Sequence, residues 1–454
     1  MRGISTEELV TITDGKWHGG MPEQQIERFC FDARQVQLGE CFVALSGGAR
    51  DGHDFVQQAQ VGGAVMALVE RPVDVNIPQL VVTDSLRALG ALGAFVRSKF
   101  ASPVVGITGS CGKTSTKEML RILLGETRTH ATAGNWNNLI GVPMTLFGLD
   151  STQHDFAVIE AGINQPGEMQ QLGAMICADM TIITNVGHAH LELLGSIEKV
   201  AEEKARLAAV AVEGSPVVIP ASLLQFPAFR AMADRAIVVH SEEEASPDVP
   251  VRQLVPYRLS SIEGGAAHQL SLDAFEFTIA TPSRGIATNA ALAIVTARQH
   301  GVEMTVLQER MRLWQAAGTR GSIQVVGSQT FYVDCYNANP TSMADALSAF
   351  IHVMDPKQPR TYILGAMNEL GATAPEQHAL IGAQLQLRPE DRAYFVGPSE
   401  LVEAYQAGAK RSGNPSDQLH TSESIEKVKS DIAEFHGALF LKGSRSYQLE
   451  KLLP

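Results

Sequence analysis

Residues 104–117 read VVGITGSCGKTSTK, and no other stretch limits the possible folds as strongly. An apolar strand, Pro103 to Thr108, runs into a glycine-rich turn and then into a helix starting near Lys113. Gly109 and Gly112 let the backbone curl so that successive N–H groups point at a phosphate. Lys113 adds positive charge near the outer phosphates, and the Thr114 hydroxyl is a magnesium ligand type. Thr108, Gly109, Ser110, Cys111, Gly112, Lys113 and Thr114 thus read as a nucleotide-phosphate cradle. The alternative is an ordinary strand–turn–helix. Five residues separate Gly106 from Gly112, one more than the general pattern has. The strand before and the helix after are the context the motif requires.

A chain of 454 residues is too long for one core and calls for two to four domains. Hydrophobic content of 45% with 19% charged residues is that of a soluble globular protein. No apolar run reaches bilayer length, and MRGISTEELVTITDG carries no basic-then-apolar leader, so a cytoplasmic location is expected. Five scattered cysteines without a C-x-x-C pair argue for reduced thiols, with no disulfide framework or zinc site. A net charge of −13 argues against nucleic acid as the main partner.

Three blocks separate along the chain. Residues 1–98 hold short strands and helices. Residues 99–315 alternate strands (Val104–Thr108, Phe156–Glu160, 180–185, Val217–Pro220) with helices. Within them 241–282 reads as an acidic stretch and a small antiparallel meander. Residues 316–454 alternate again, with short strands at 361–364, 393–396 and 438–442. The expected class is α/β: a small N-terminal α/β domain, a central mononucleotide-binding domain with a parallel sheet, and a C-terminal doubly wound, Rossmann-like domain.

Polar residues gather at strand ends, where open parallel sheets bind ligands. Glu160 ends FAVIE beside the phosphate loop, where a carboxylate can hold magnesium; the alternative is a solvated strand-end glutamate. His188 and His190 follow the next strand, and histidine binds magnesium only occasionally. The segment 196–210 forms an amphipathic helix capped by Ser196. Its apolar stripe is Ile197, Val200, Ala201 and Ala208, with Lys204 among them, and Lys199, Glu202, Glu203 and Arg206 share the opposite face. Lys204 is either a snorkelling lysine or a desolvated amine able to add carbon dioxide as a carbamate. GNWNNLIGVPMTLF packs Asn135, Asn137 and Asn138 into four positions, as a polar loop or a recognition loop. DCYNANPTSM offers Asp334, Asn337 and Asn339 after a strand. KGSRS puts Lys442, Ser444 and Arg445 after the last one. Several such loops across two α/β blocks suggest a site in the cleft between domains.

Taken together these residues resemble the Mur ligase family, the ATP-dependent amide-forming enzymes of peptidoglycan precursor synthesis, over almost the whole chain. The resemblance implies a UDP-sugar-binding N-terminal domain, with Asp32 and Arg34 in FDARQVQLGECFVALSGGARDGHDF. It implies Thr114 and Glu160 as magnesium ligands, His190 as the metal histidine and Lys204 as the carbamylated lysine, with two magnesium ions. Lys113, Glu160, His190 and Lys204 become the catalytic set. Asn289 in TNAALAI, Arg320 and Asp334 would reach the nucleotide. Asn135, Asn138, Asn337, Asn339, Lys442, Ser444 and Arg445 would bind the peptide substrates.

Within the family, GNWNNLIGVPMTL, VIEAGINQPGEM, DCYNANPTSM, LGAMNELG and LKGSRS resemble the member that adds D-alanyl-D-alanine to UDP-N-acetylmuramoyl-tripeptide, and the resemblance implies that reaction. The Asp-Asn-Pro-Arg of the diaminopimelate-adding member is absent. The implied chemistry is stepwise. The tripeptide carboxylate attacks the γ-phosphate of ATP to give an acyl phosphate, and the dipeptide amine displaces phosphate. A monomer is expected, with no membrane partner. Five residues depart from the pattern: Cys111 for asparagine or serine, Ala33 for a hydroxyl residue, Gly285-Ile286 for His-Asn, and Ala366 for aspartate. The Cys111 thiol, at a helix N-terminus, is a candidate for a lowered pKa. The rivals are a family member with another acceptor, a non-catalytic nucleotide-binding homologue, and a phosphate-loop switch or motor.

Overall fold

A computed structural model describes residues 3–23, 25, 26, 28–47, 50–262, 264–316 and 318–454. Three sheets follow one another along the chain. The first has five strands in the order Lys16–His18, Gln79–Val81, Met66–Val69, Cys41–Val43, Phe29–Cys30. Only Lys16–His18 runs antiparallel to its neighbour.

The helix Ser85–Lys99 then leads out of this sheet. Asp84 starts it by accepting from the Arg87 N–H at 2.9 Å. Two glycines let it lie close on the central block. A Cβ at Gly93 would stand 2.9 Å from Pro143 Cα, and one at Gly90 2.9 Å from Met175 Sδ. One continuous core therefore runs from Ile4, Leu9 and Leu80 through Leu89 and Leu92 to Val142, Leu172 and Leu207.

The central sheet has nine strands. Val104–Thr108 lies between Met180–Ile183 and Phe156–Glu160, parallel to both. Their fully buried Val and Ile runs are what helices on both faces require. The strand expected over 180–185 stops at Ile183 because the next two side chains turn to the phosphate loop. The Thr184 hydroxyl donates to Cys111 O at 2.6 Å, and Asn185 Oδ1 accepts from the Cys111 N–H at 2.9 Å. The meander forms the antiparallel strands Gln253–Ser261, His268–Leu272 and Phe275–Ile279. It does not stand apart, because Gln253–Ser261 pairs parallel with Ala236–Ser241 and so extends the central sheet.

The third sheet has the order Ser322–Val326, Gln329–Asp334, Gly437–Lys442, Arg360–Gly365, Arg392–Val396, Leu419–Ser422. All pairs but the first are parallel. The chain leaves Gln329–Asp334, skips a place and returns at Arg360–Gly365, with Gly437–Lys442 later filling the gap. That crossing is the kind of switch point where such sheets bind ligands. No helix among the described residues is long and apolar enough to cross a membrane.

Candidate active site

The phosphate loop is held open from below. Gly112 has φ +78°, a left-handed backbone that favours glycine, and a Cβ there would fall 2.0 Å from Asn289 Nδ2. A Cβ at Gly109 would fall 1.8 Å from Thr184 Oγ1. Ser110 exchanges two hydrogen bonds with Gly187, donating to its carbonyl at 3.1 Å and accepting from its N–H at 2.9 Å. These contacts, all within the protein, fix the backbone of the loop. Lys113 opens the helix Lys113–Gly125 and folds back, so that its ammonium donates to Gly109 O at 2.8 Å. Burial lowers its pKa, opposed by the charge of Glu160.

Glu160 ends its strand nearly fully buried. Its two oxygens are divided: Thr114 Oγ1 donates to Oε2 at 2.9 Å, and Asn137 Nδ2 donates to Oε1 at 2.7 Å. Its backbone N–H donates to Thr132 Oγ1 at 2.9 Å. Lys117, one helical turn beyond Lys113 and fully buried, donates to Thr132 O at 2.5 Å and so braces the same loop. A strand-end carboxylate fixed this way, beside a threonine hydroxyl, matches the oxygen ligand set of a magnesium ion on a nucleotide.

Lys204 lies in the helix Ile197–Ala209, which Ser196 caps through the Lys199 N–H. Only 1% of the residue is exposed, so it does not snorkel. Burial first, and the positive charge of Lys113 second, push its pKa well below that of a free lysine. Glu203 does not share the exposed face. It is buried, accepts from the Gly167 N–H at 3.1 Å and pairs with Arg206 at 3.2 Å, because the loop at Gly167 supplies a donor that sequence spacing cannot reveal. Cys111 is also corrected: burial raises its thiol pKa, and Asn185 Nδ2 lies 2.9 Å from the sulfur. Cys111 is half-buried, and the desolvation of its thiol outweighs the helix N-terminus.

The third sheet closes on this site. Asn339 caps the helix Pro340–Val353 and its Nδ2 donates to Ser110 O at 3.4 Å. His190, with left-handed φ +58°, puts Nδ1 2.5 Å from Glu369 Oε2. Glu369 is itself left-handed at φ +64°, and its carbonyl accepts from the Glu192 N–H at 3.1 Å. The hydrogen bond with His190 lowers the pKa of the Glu369 carboxyl. Lys442 is buried and spans 2.5 Å to Asp334 Oδ2 and 3.0 Å to Asn337 O, so it braces this loop. The Arg320 guanidinium sits 3.6 Å from the centre of the Tyr336 ring.

A cavity of about 130 Å³ opens between the sheets, lined among others by His190, Asn337, Asn339, Glu369, Ser444 and Arg445. Ser444 accepts from the Asn368 N–H at 2.9 Å, and Arg445 pairs with Glu450. Four predicted residues stand elsewhere. Half-buried Asp32 and exposed Arg34 form a two-pronged ion pair that holds the Asp32 pKa down to about 2. Asn135 is exposed, and Asn138 caps the turn into Gly141–Phe147 by accepting from the Ile140 and Gly141 N–H groups. Sequence reasoning missed Asn137, Lys117 and Glu369 as site residues. The asparagine run carried the signal for the first, but which of the three meets Glu160 depends on the turn. LGAMNELG contained Glu369 without marking it.

A strand–loop–helix cradle, a buried carboxylate at the next strand end and a second α/β sheet folded over both define a phosphate-loop nucleotide-binding protein with a two-sided cleft. Residues 107–297 match the Mur ligase middle domain, and residues 322–445 match the Mur ligase glutamate ligase domain. The chain is 30% identical to the UDP-N-acetylmuramoyl-tripeptide–D-alanyl-D-alanine ligase of Escherichia coli K12, over 100% of this chain and 98% of that one. Among solved structures, MurF from Acinetobacter baumannii superimposes with a TM-score of 0.86 at 27% identity, covering 100% and 98% of the two chains. MurF ligase from Thermotoga maritima in complex with ADP gives 0.77 at 26%, covering 94% and 96%. The chain belongs to the Mur ligase family.

Proposed function

We propose that the protein joins D-alanyl-D-alanine to UDP-N-acetylmuramoyl-tripeptide with cleavage of ATP to ADP and phosphate, through an acyl phosphate. The observation that carries this reading is the meeting of two unlike half-sites. Lys113, Thr114 and Glu160 sit on one side, and a small polar cavity with Asn337, Asn339, Ser444 and Arg445 on the other. The likeness to the full-length E. coli ligase supports the choice of substrates.

The tripeptide carboxylate and the γ-phosphate repel each other, so fixed positive charge must bring them together. Lys113 supplies part of it. Thr114 and Glu160 would hold one magnesium ion, and His190 with carbamylated Lys204 a second. The ions would neutralise phosphate charge. A buried amine of depressed pKa fits carbamate formation, because its neutral form is the nucleophile toward carbon dioxide. Asn289, Arg320 and Asp334 would position the nucleotide, and Asp32 and Arg34 the UDP group. On this reading the chain divides into three domains, 1–98, 99–315 and 316–454, and the amine substrate would enter from the third. Closure of the third over the second excludes water that would hydrolyse the intermediate.

The deciding experiment is phosphate release from ATP with UDP-N-acetylmuramoyl-tripeptide, with and without D-alanyl-D-alanine. Dipeptide-dependent release with a pentapeptide product by mass is expected. Release driven by another amino acid alone would overturn the acceptor and keep the chemistry. No release with any amine would leave a nucleotide-binding homologue.

A further inference from the structure

The turn 283–286 of the central block carries no bulky side chain at Gly285, and the structure shows what lies against it. Asp345, from the helix Pro340–Val353 of the third sheet, points its carboxylate at this turn of the central block. Ser283 Oγ donates to Asp345 Oδ2 at 2.5 Å, and the Gly285 N–H donates to Oδ1 at 2.9 Å. A Cβ at Gly285 would meet that carboxylate at 3.3–3.4 Å, so any side chain there would press the Asp345 carboxylate back by a few tenths of an ångström. Ser283 is also the N-cap of the helix Arg284–Gln299, accepting from the Ile286 N–H at 3.0 Å. That helix carries Asn289, whose amide lies against Gly112 of the phosphate loop.

We propose that Asp345 is a positioning residue for the ligase reaction: it registers the third sheet on the nucleotide site through Ser283 and Gly285. The helix Pro340–Val353 then holds the central block at two points, Asn339 on Ser110 and Asp345 on the Ser283–Gly285 turn. Two anchors on one rigid helix fix its rotation as well as its distance. The loops that carry Asp334 and Asn337 move with it. Both bonds to Asp345 are charge-assisted and lie between blocks, so they form only when the third sheet is closed. The reaction part of this proposal rests on the ligase reading, and the closure part does not.

The test uses the full-length protein with Asp345→Ala and Ser283→Ala. Alanine suits an interior helix position, so the Asp345→Ala fold should survive, checked by its melting temperature without nucleotide. Expected for Asp345→Ala are a kcat about tenfold lower with the KM for ATP changed less than about twofold. Faster amide exchange at Gly285 and a larger radius of gyration by X-ray scattering with a non-hydrolysable ATP analogue should accompany it. Ser283→Ala should act in the same direction, and the double variant should fall short of the sum, because the two residues share one bond. Unchanged Gly285 exchange and an unchanged radius in Asp345→Ala would overturn the latch. Slower exchange lost without any effect on kcat, in a protein whose wild type is an active ligase, would overturn its role in the reaction. If the wild type shows no ligase activity, exchange and scattering still decide the latch.

Discussion

Lys204 is the residue whose placement is hardest to explain by stability alone. A buried amine is penalised as long as it must carry a proton, and the positive charge of Lys113 adds to the penalty. The sign of its pH dependence follows. The folded pKa lies below the unfolded value of about 10.4, so between the two the unfolded chain binds more protons. The penalty is therefore fully present below the folded pKa and fades as pH rises toward the unfolded one. In bicarbonate-free buffer, Lys204→Met should raise the melting temperature near pH 7, by an amount that shrinks toward pH 10; a gain that grows with pH would contradict the depressed pKa. If Lys204 carries the proposed carbamate, Lys204→Ala should lose most turnover and acetate or another small carboxylate should restore part of it. Normal turnover in Lys204→Ala would remove the residue from the mechanism. Gly112 is the matching test in the phosphate loop. Gly112→Ala pays about 1–2 kcal/mol for its left-handed backbone and must also displace the Asn289 amide. Calorimetric affinity for ATP should fall about tenfold or more.

The helix Ser85–Lys99 shows how one element joins two sheets. Its Arg97 is buried and donates to Ile176 O at 2.9 Å, Phe100 O at 3.0 Å, Cys177 O at 2.8 Å and Asp179 Oδ2 at 2.8 Å. Asp179 in turn accepts from the Val104 N–H at 2.8 Å, at the start of the strand that feeds the phosphate loop. Arg97→Leu strands buried carbonyls and should cost about 2–4 kcal/mol in urea unfolding. A loss within about 0.5 kcal/mol would mean that the helix packs by apolar contact alone. The same helix marks what local pattern can and cannot disclose. Strands such as Phe156–Glu160 and Val217–Pro220 were legible to the residue, because a buried strand between turn residues is a local signal. The strand–loop–helix around Gly112, the strand-end place of Glu160 and the Ser196 cap were legible for the same reason. Glu203, Glu369 and Asp345 were not. Each owes its position to a partner distant in sequence: the Gly167 N–H, His190, and the Ser283–Gly285 turn. Spacing along one helix or loop cannot anticipate a donor that arrives from another sheet. The Cys111 thiol failed likewise, since Asn185 and the packing around it decide its burial.

At the scale of the whole molecule, sheets and cores do not divide the chain in the same way. The first sheet and one face of the central sheet share a single apolar core, from Leu80 through Leu89 to Leu207. The third sheet has its own cores on its two faces, around Tyr332, Phe350 and Phe440 and around Phe331, Ile363 and Leu441. Its links to the central block at the site are polar: Asn339 to Ser110, Asp345 to Ser283 and Gly285, Glu369 to His190. Polar links of this kind couple unfolding weakly, whereas a continuous core couples it strongly. Scanning calorimetry should therefore show two transitions without ligand, the first and central sheets melting together and the third alone. Three separated transitions would mean that the core through Leu89 is not cooperative. A magnesium complex of a non-hydrolysable ATP analogue at about 100 times its Kd adds about 2.7 kcal/mol to whatever folds around it. If the nucleotide is held between central and third sheets, both transitions should rise and draw together. A rise confined to the first-and-central transition would mean that the nucleotide rests on the phosphate loop alone and that closure waits for the peptide substrates.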